Sequence, residues 1–190
     1  MYQLILQNIA RHIQLSAAEE TYFISLLKFR TLRKKQYIVQ AGDTSRYECF
    51  VNKGCLRAYS VDDKGQEHIV QFALEDWWIG DMYSFVSGAP SIYNVDALED
   101  AELLLIDRNN MEELYLQVPK FERFFRIIIQ NAFISMQRRI VENMSIPADE
   151  RYLHFRERYP QLEQRLPQHQ VASYLGITAE SLSRIRRKKL

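Results

Sequence analysis

Residues 167–189, PQHQVASYLGITAESLSRIRRKK, decide how this chain is interpreted. The stretch predicts two short helices joined at Gly176, with Pro167 at the start of the first helix and Thr178 capping the second. Glycine accepts the left-handed backbone that a tight turn between helices needs. Apolar residues at helical spacing predict the buried faces, namely Val171, Ala172, Leu175, Leu182 and Ile185. The pattern is typical of a helix-turn-helix.

The second of these helices carries side chains suited to DNA. In a helix-turn-helix this helix enters the major groove. Arg184 can donate two hydrogen bonds to a guanine, and Glu180 can accept one from a cytosine amino group, whereas serine and threonine hydroxyls suit phosphates. The predicted DNA contacts are Thr178, Ala179, Glu180, Ser181, Ser183, Arg184, Arg187 and Lys188. The alternative is an ordinary helical hairpin whose basic end complements the helix dipole.

Charge is unevenly distributed along the chain. The formal net charge is only +1. Residues 151–190 hold nine basic and three acidic side chains, a net of +6, so the remainder carries −5. A basic terminal module beside an acidic body is what binding to double-stranded DNA by counterion release requires. A solvated basic tail is the alternative.

Composition limits the class of protein. With 190 residues and 47% hydrophobic content, the chain can form one domain of ordinary size and a smaller one. No apolar run approaches the roughly 20 residues of a membrane span, and no signal-peptide pattern is present, so we expect a cytoplasmic protein without a membrane partner. Cys49 and Cys55 are too few for an all-cysteine cluster and are predicted to be buried thiols.

Hydrophobic spacing in the first 120 residues predicts helices followed by a β-domain. Helical spacing covers residues 2–13 and 17–29, with a capping box formed by Ser16 and Glu19. From Tyr37 to Ile106 hydrophobic residues recur at every second position, as in β-strands. Turn signals interrupt this pattern at residues 41–43, 52–54, 62–65 and 87–90. Short strands at this spacing predict an antiparallel barrel or sandwich over residues 1–120.

Residues 121–144 predict one long helix, about 36 Å at 1.5 Å per residue. Its apolar residues cover more than one face, since Ile127, Ile134 and Val141 lie apart from the main stripe, so a second subunit's helix is the expected partner. The predicted dimerisation residues are Phe125, Ile128, Ile129, Ala132 and Met136. Two contacts within one chain are the alternative. We expect the dimerisation helix and hinge to occupy 121–146, and the helix-turn-helix domain 147–190.

This order of elements resembles the Crp/Fnr family of bacterial transcription regulators over the whole chain. The resemblance rests on Ala41-Gly42-Asp43, on Gly54 with Arg57, on residues 63–67, 78–82 and 94–101, and on Gly176, Thr178, Glu180, Ser181 and Arg184. It implies an α+β fold: N-terminal helices, an antiparallel, jelly-roll-like β-roll of the cyclic-nucleotide-binding type, a long dimerisation helix and a small C-terminal helix-turn-helix domain. It further implies a homodimeric, sequence-specific DNA-binding regulator that works with RNA polymerase.

The chain departs from the family at the ligand site. Cyclic-nucleotide-binding members place an arginine and a small hydroxyl residue before the last strand, whereas residues 90–93 here are Pro-Ser-Ile-Tyr. A buried cyclic phosphate without a cation is costly. We therefore expect an effector other than cyclic AMP, in a pocket formed by Gly80, Asp81, Met82, Ser91 and Tyr93. Trp77, Trp78 and Phe85 either line that pocket or belong to the core.

Other function classes remain as alternatives. A metal-dependent barrel enzyme needs several converging histidines or carboxylates, and the β-domain has only His68, so we expect no enzyme, no metal and no cofactor. A cyclic-nucleotide sensor is a second alternative. A third is an effector- or protein-binding roll whose helix-turn-helix has lost DNA affinity, because Ala179 stands where many family members carry arginine.

Overall fold

The computed structural model describes residues 1–189; Leu190, the last residue of the predicted C-terminal domain, lies outside them. The helices are α1 (Gln3–Ala10), α2 (Ala17–Leu26), α3 (Met82–Ser87), α4 (Arg108–Gln117), α5 (Lys120–Ser145), α6 (Ala148–Arg158), α7 (Pro160–Arg165), α8 (Gln168–Tyr174) and α9 (Ala179–Lys189). The strands are β1 (Lys28–Leu32), β2 (Tyr37–Val39), β3 (Tyr47–Lys53), β4 (Leu56–Val61), β5 (Glu67–Ala73), β6 (Trp78–Ile79), β7 (Asn94–Ala97) and β8 (Ala101–Asp107).

The start of α2 forms as its sequence predicts. Ser16 Oγ accepts from the amide of Glu19 at 3.3 Å, and the Glu19 carboxylate accepts from the Ser16 amide at 2.7 Å. The helix ends at Leu26, however, and not near residue 29. From Lys28 the chain pairs with β8, with Phe29 opposite Leu104. The hydrogen-bonded ladder therefore overrides the helical spacing there.

Two four-stranded antiparallel sheets form the β-roll. Their strand orders are β1-β8-β3-β6 and β2-β7-β4-β5. Small and branched apolar side chains fill the space between them, including Val51, Val95 and Leu103. The predicted α+β architecture with an antiparallel β-domain is confirmed. In the second sheet, the buried Arg57 on β4 donates to Asp96 on β7 at 2.8 Å and also to Glu67 on β5, so one guanidinium joins three adjacent strands.

Helix α3 interrupts the strands and was not predicted from the sequence. Asp81 caps its start by accepting from the Ser84 amide at 3.1 Å, and Gly88 ends it in the left-handed conformation at φ 75°. Six residues are too few to show a helical hydrophobic period. The caps at residues 81 and 88 were the available signals.

Helix α5 is 26 residues long, slightly longer than predicted. Its first turns bury Phe121, Phe124 and Phe125 among α1, α2, α4 and the first sheet. The Phe125 ring lies 5.2 Å from the Trp78 ring. The prediction that Phe125 faces a second subunit is therefore wrong: this side chain attaches α5 to the core of its own chain.

A third apolar cluster joins the C-terminal helices to the second sheet. Tyr59, Ile69 and Phe72 of the roll pack with residues of α6–α9, including Phe155 and Leu182. The helical region beyond α5 thus shares a core with the outer face of the second sheet.

Candidate nucleic-acid interface

The turn between α8 and α9 is a Schellman motif. Gly176 adopts φ +66°, its amide donates to the Ser173 carbonyl at 3.1 Å, and the Ile177 amide donates to the Ala172 carbonyl at 3.0 Å. These bonds satisfy carbonyls that the end of α8 leaves free. A side chain at residue 176 would strain this backbone, so the predicted role of Gly176 is explained by the local geometry.

Helix α9 begins with a hydroxyl cap. Thr178 Oγ1 accepts from the Ser181 amide at 3.2 Å, as the sequence predicts. Leu182 is buried against α8, and Ile185 is half-buried in the same cluster. Of the residues predicted to contact DNA, Ser181 and Ser183 are half-buried, and the others are exposed: Thr178, Ala179, Glu180, Arg184, Arg187 and Lys188. The folded chain therefore brings all eight onto α9 and its cap.

Two arginines of α9 are hydrogen-bonded to serine hydroxyl groups. Arg184 donates to Ser181 Oγ at 3.5 Å, and Arg187 donates to Ser183 Oγ at 3.3 Å. Within residues 1–189 neither guanidinium forms an ion pair with a carboxylate. Their positive charge thus stays available to an external anion, and the serines restrict where the guanidinium groups point.

A shallow depression of about 380 Å³ lies on this surface, lined by Glu180, Arg184, Arg187 and Lys188. The helix N-terminus and the Thr178 hydroxyl lower the pKa of Glu180. Glu180 is therefore ionised at neutral pH and accepts hydrogen bonds only. One acceptor and three cations provide a polar surface that can distinguish donors from acceptors on a ligand.

Helix α8 is attached to an edge of the β-roll. Strand β5 lies at the end of the second sheet, and its free edge faces α8. Ser173 Oγ donates to the Glu67 carbonyl at 2.8 Å and accepts from the Ile69 amide at 3.1 Å. One hydroxyl therefore satisfies two backbone groups that an edge strand leaves unpaired.

Two arginines strengthen this attachment. The guanidinium of Arg139, on α5, lies 4.7 Å from the ring of Tyr174, and it donates to the Ile69 carbonyl at 3.3 Å. Arg165, at the end of α7, donates to both carboxylate oxygens of Glu75 at 2.7 and 3.1 Å. Arg165 also pairs with Glu99. The position of the helix-turn-helix thus depends on contacts with the roll and with α5.

The second half of α5 carries an exposed apolar stripe. Its members follow one another at spacings of four, three and four residues, which is the seam spacing of a coiled coil, namely Ile129, Phe133, Met136 and Ile140. We call these four residues the α5 stripe. Ala132 is exposed beside it, whereas Ile128 is half-buried against the core of its own chain. Phe133 and Ile140 were missed in the sequence prediction, although the heptad spacing would have identified them.

The residues of the predicted effector pocket meet at the start of α3. Ser91 Oγ donates to the Asp81 carboxylate at 2.7 Å, and both residues are buried. Met82 is exposed, and Tyr93 is half-buried. Phe85 and Trp78 pack into the helical core, and Trp77 packs on Tyr159 of the C-terminal region, so these aromatics serve the core. The carboxylate of Asp81 occupies the α3 N-terminus.

Residues 1–189 contain no group of three or more His, Cys, Asp or Glu side chains placed to hold a metal ion. Cys49 and Cys55 are buried free thiols, and burial raises the pKa of both. In the same part of the chain, none of the helices has the length and apolar character of a membrane span.

Several known proteins are similar to this chain in sequence or in fold. The model of the cyclic nucleotide-binding domain family matches residues 29–118. Regulatory protein HlyX of Actinobacillus pleuropneumoniae is 25% identical over 169 residues, covering 82% of this chain and 69% of HlyX. Transcriptional activator protein FnrA of Stutzerimonas stutzeri is 28% identical over 170 residues, covering 82% and 68%. The structure of FixK2 from Bradyrhizobium japonicum superposes with a TM-score of 0.73 at 18% identity, covering 85% of this chain and 83% of FixK2.

Residues 29–118 thus match the cyclic nucleotide-binding domain family, and the chain as a whole is similar in sequence to the regulators HlyX and FnrA. The fold is shared with FixK2.

Proposed function

We propose that this protein is a homodimer that binds a two-fold symmetric DNA site, with one α9 helix in each of two successive major grooves. The observation that carries the proposal is the exposed face of α9, where Arg184 and Arg187 form no ion pair with any carboxylate of residues 1–189. Two such helices in a dimer would lie about 34 Å apart, one turn of DNA.

Three consecutive segments of the chain have different proposed roles. Residues 1–120 sense a signal, residues 121–146 dimerise and act as the hinge, and residues 147–190 bind DNA. The proposed DNA contacts are Thr178, Ala179, Glu180, Ser181, Ser183, Arg184, Arg187 and Lys188. Arg184 and Glu180 would contact base edges, and the hydroxyl groups and Lys188 would contact phosphates. We expect a cytoplasmic protein without enzymatic turnover, and RNA polymerase as a further partner.

The α5 stripe is the proposed dimer seam, with Ala132 beside it. It supports this role because four large apolar side chains repeat at coiled-coil spacing and face solvent in the single chain. Contact with the same stripe of a second subunit would cover them. A seam of this kind brings the hinge regions of two chains together near Ser145.

We also propose that the signal acts near Gly80, Asp81, Met82, Ser91 and Tyr93, and that it is not cyclic AMP. An incoming phosphodiester would meet the buried carboxylate of Asp81, which accepts from Ser91 and from the Ser84 amide. Like charges repel strongly where water is excluded. An effector controls the α9 helices only if it binds the two states of the dimer unequally.

The deciding experiment is selection of bound sequences from a random DNA duplex pool, at two salt concentrations, with and without cyclic AMP. We expect an inverted-repeat consensus, weaker binding at the higher salt and no response to the nucleotide. Enrichment only with cyclic AMP would support a cyclic-nucleotide sensor instead. No enrichment under any condition would contradict the proposal and favour a roll that binds an effector or a protein.

A further inference from the structure

A buried carboxyl group lies beneath α3. Glu48, on β3, is 6% exposed, and its Oε1 atom has no hydrogen-bond partner within residues 1–189. Burial, together with the charge of nearby Asp81, raises the pKa of Glu48 to about 8. A buried carboxylate that is neither hydrogen-bonded nor paired with a cation is strongly disfavoured in its charged form.

The carboxyl group is held against the backbone at Gly80. A Cβ atom at residue 80 would lie 2.7 Å from Glu48 Oε1, so a side chain at this position would force the carboxyl group to move. The next residue, Asp81, is 1% exposed but accepts two hydrogen bonds, from the Ser84 amide at 3.1 Å and from Ser91 Oγ at 2.7 Å. Of the two acids, Asp81 is therefore the one with hydrogen-bond donors beside its carboxyl oxygens.

The other groups around Glu48 do not compensate a negative charge. Tyr115 faces it from α4, and the pKa of Tyr115 is itself raised, by burial and by Glu112, Glu122 and Glu48. Cys49 is the neighbour on β3; its thiol pKa is raised by burial and by Glu48, and Arg30 of β1 acts on that thiol in the opposite direction. On β8, Glu48 pairs with Ile106. Within residues 1–189 no basic side chain forms an ion pair with Glu48 or Asp81.

The geometry points to Glu48 as a proton-binding site: the folded protein holds one proton on this carboxyl group at neutral pH and releases it to solvent under alkaline conditions. Release of the proton leaves a buried negative charge at Glu48 without an ion-paired cation or a hydrogen-bond donor to Oε1 among residues 1–189, and movement of α3 away from β3 would expose this charge to water.

The site is placed to influence α5. Phe85 of α3 belongs to the same apolar cluster as Phe121, Phe124 and Phe125, which attach α5 to the roll. A displacement of α3 would therefore disturb the packing that orients the long helix. This regulatory consequence rests on the proposed function, since it acts through the α5 helices of the proposed dimer. Proton binding itself does not depend on DNA.

The first test is a carbon-detected NMR titration of the side-chain carboxyl groups between pH 4 and 10, with Glu48 assigned through its own backbone. We expect its midpoint near pH 8. A midpoint at the ordinary value for glutamate, about 4.3, would overturn the proposal. This measurement uses the unmodified protein and requires no variant to fold.

The second test compares stability at several pH values for the wild type, Glu48→Gln and Glu112→Gln, an exposed glutamate on α4. The folded pKa lies above the unfolded one, so the wild-type stabilisation by this proton is full below the unfolded pKa and is lost as pH rises toward 8. Between the unfolded and the folded pKa of Glu48, the unfolding equilibrium constant should rise about tenfold per pH unit from this group alone.

We expect Glu48→Gln to lose that rise and Glu112→Gln to keep it. A Glu48→Gln protein with the wild-type pH dependence would overturn the proposal. Operator affinity measured between pH 7 and 9 then tests the coupling: it should change in the wild type and stay constant in Glu48→Gln. Absence of DNA binding at every pH would contradict the proposed function, and the NMR midpoint would still decide the proton site.

Discussion

The hydroxyl of Ser173 donates to the backbone carbonyl of Glu67 at 2.8 Å, although the two residues are 106 positions apart in the chain. The same oxygen accepts from the Ile69 amide at 3.1 Å. Because β5 is an edge strand, these backbone groups have no partner in another strand. The first helix of the helix-turn-helix is thereby attached to the β-roll through hydrogen bonds between the Ser173 hydroxyl and main-chain groups, which do not depend on the side chains of β5.

Replacing Ser173 by alanine should loosen this attachment. The substitution leaves the Glu67 carbonyl and the Ile69 amide without a protein partner, so we expect a loss of about 1–2 kcal/mol in the free energy of unfolding. Hydrogen exchange at the Ile69 amide should become faster, which NMR measures directly. Ser145→Ala is the matched control, since Ser145 Oγ donates to the Val141 carbonyl inside α5. Unchanged exchange at Ile69 in Ser173→Ala would contradict the attachment.

The contact between Arg165 and Glu75 should weaken in acid. Although burial raises it, the hydrogen bonds from Arg165 and from the Gly54 amide hold the pKa of Glu75 below its usual value. Its folded pKa lies below the unfolded one, so the stabilisation is present above the unfolded pKa and is lost as pH falls through the folded value. Both side chains are about a third exposed, so we expect the pair to contribute about 1 kcal/mol or less at neutral pH.

A double-mutant cycle with Arg165→Ala and Glu75→Gln, followed by urea unfolding at neutral and acidic pH, measures this contribution. The coupling energy should be favourable at pH 7 and should vanish in acid. A coupling energy that does not change with pH would show that the ion pair is not its source.

A charge on the α5 stripe should prevent dimerisation. Phe133→Glu places a carboxylate among Ile129, Met136 and Ile140, where a second copy of the helix would have to bury it without a partner. We expect a monomer in sedimentation experiments at concentrations where the wild type is a dimer, with the helical content retained. Asn131→Glu adds the same charge at an exposed position outside the stripe and should remain dimeric. Equal association of the two variants would exclude the stripe as the seam.

Arg184 and Lys188 should have separable effects on DNA binding. Arg184→Ala should relax the base preference at one position of each half-site, with a loss of about 1–3 kcal/mol for the preferred sequence. Lys188→Ala should weaken binding to all sequences alike. It should also reduce the slope of log affinity against log salt concentration by about one. Lys64→Ala, in the exposed β4–β5 turn, serves as the control. An unchanged sequence preference in Arg184→Ala would show that α9 is not the recognition helix.

Local signals in the sequence predicted the parts of the fold that depend on near neighbours. The capping box of Ser16 and Glu19, the left-handed Gly176 and the Thr178 cap all involve groups within five residues of one another. Helix α3 was missed because its six residues lie in a region of strand periodicity, and only the caps at Asp81 and Gly88 mark it. Periodicity also extended α2 over the first residues of β1, whose conformation depends on pairing with β8.

The sequence by itself determined the order of the larger parts of the fold, the helix-turn-helix and the residues that α9 exposes, because turn chemistry and hydrophobic spacing act over a few residues. Only the tertiary structure decided which apolar face of α5 is buried against the rest of the same chain. Phe125 and Phe133 are both aromatic residues of one helix, but the first is buried against Trp78 and the second faces solvent. Tertiary structure alone likewise brought Ser173 to the edge of β5 and Glu48 to Gly80, because burial and hydrogen-bond partners come from segments distant in the chain.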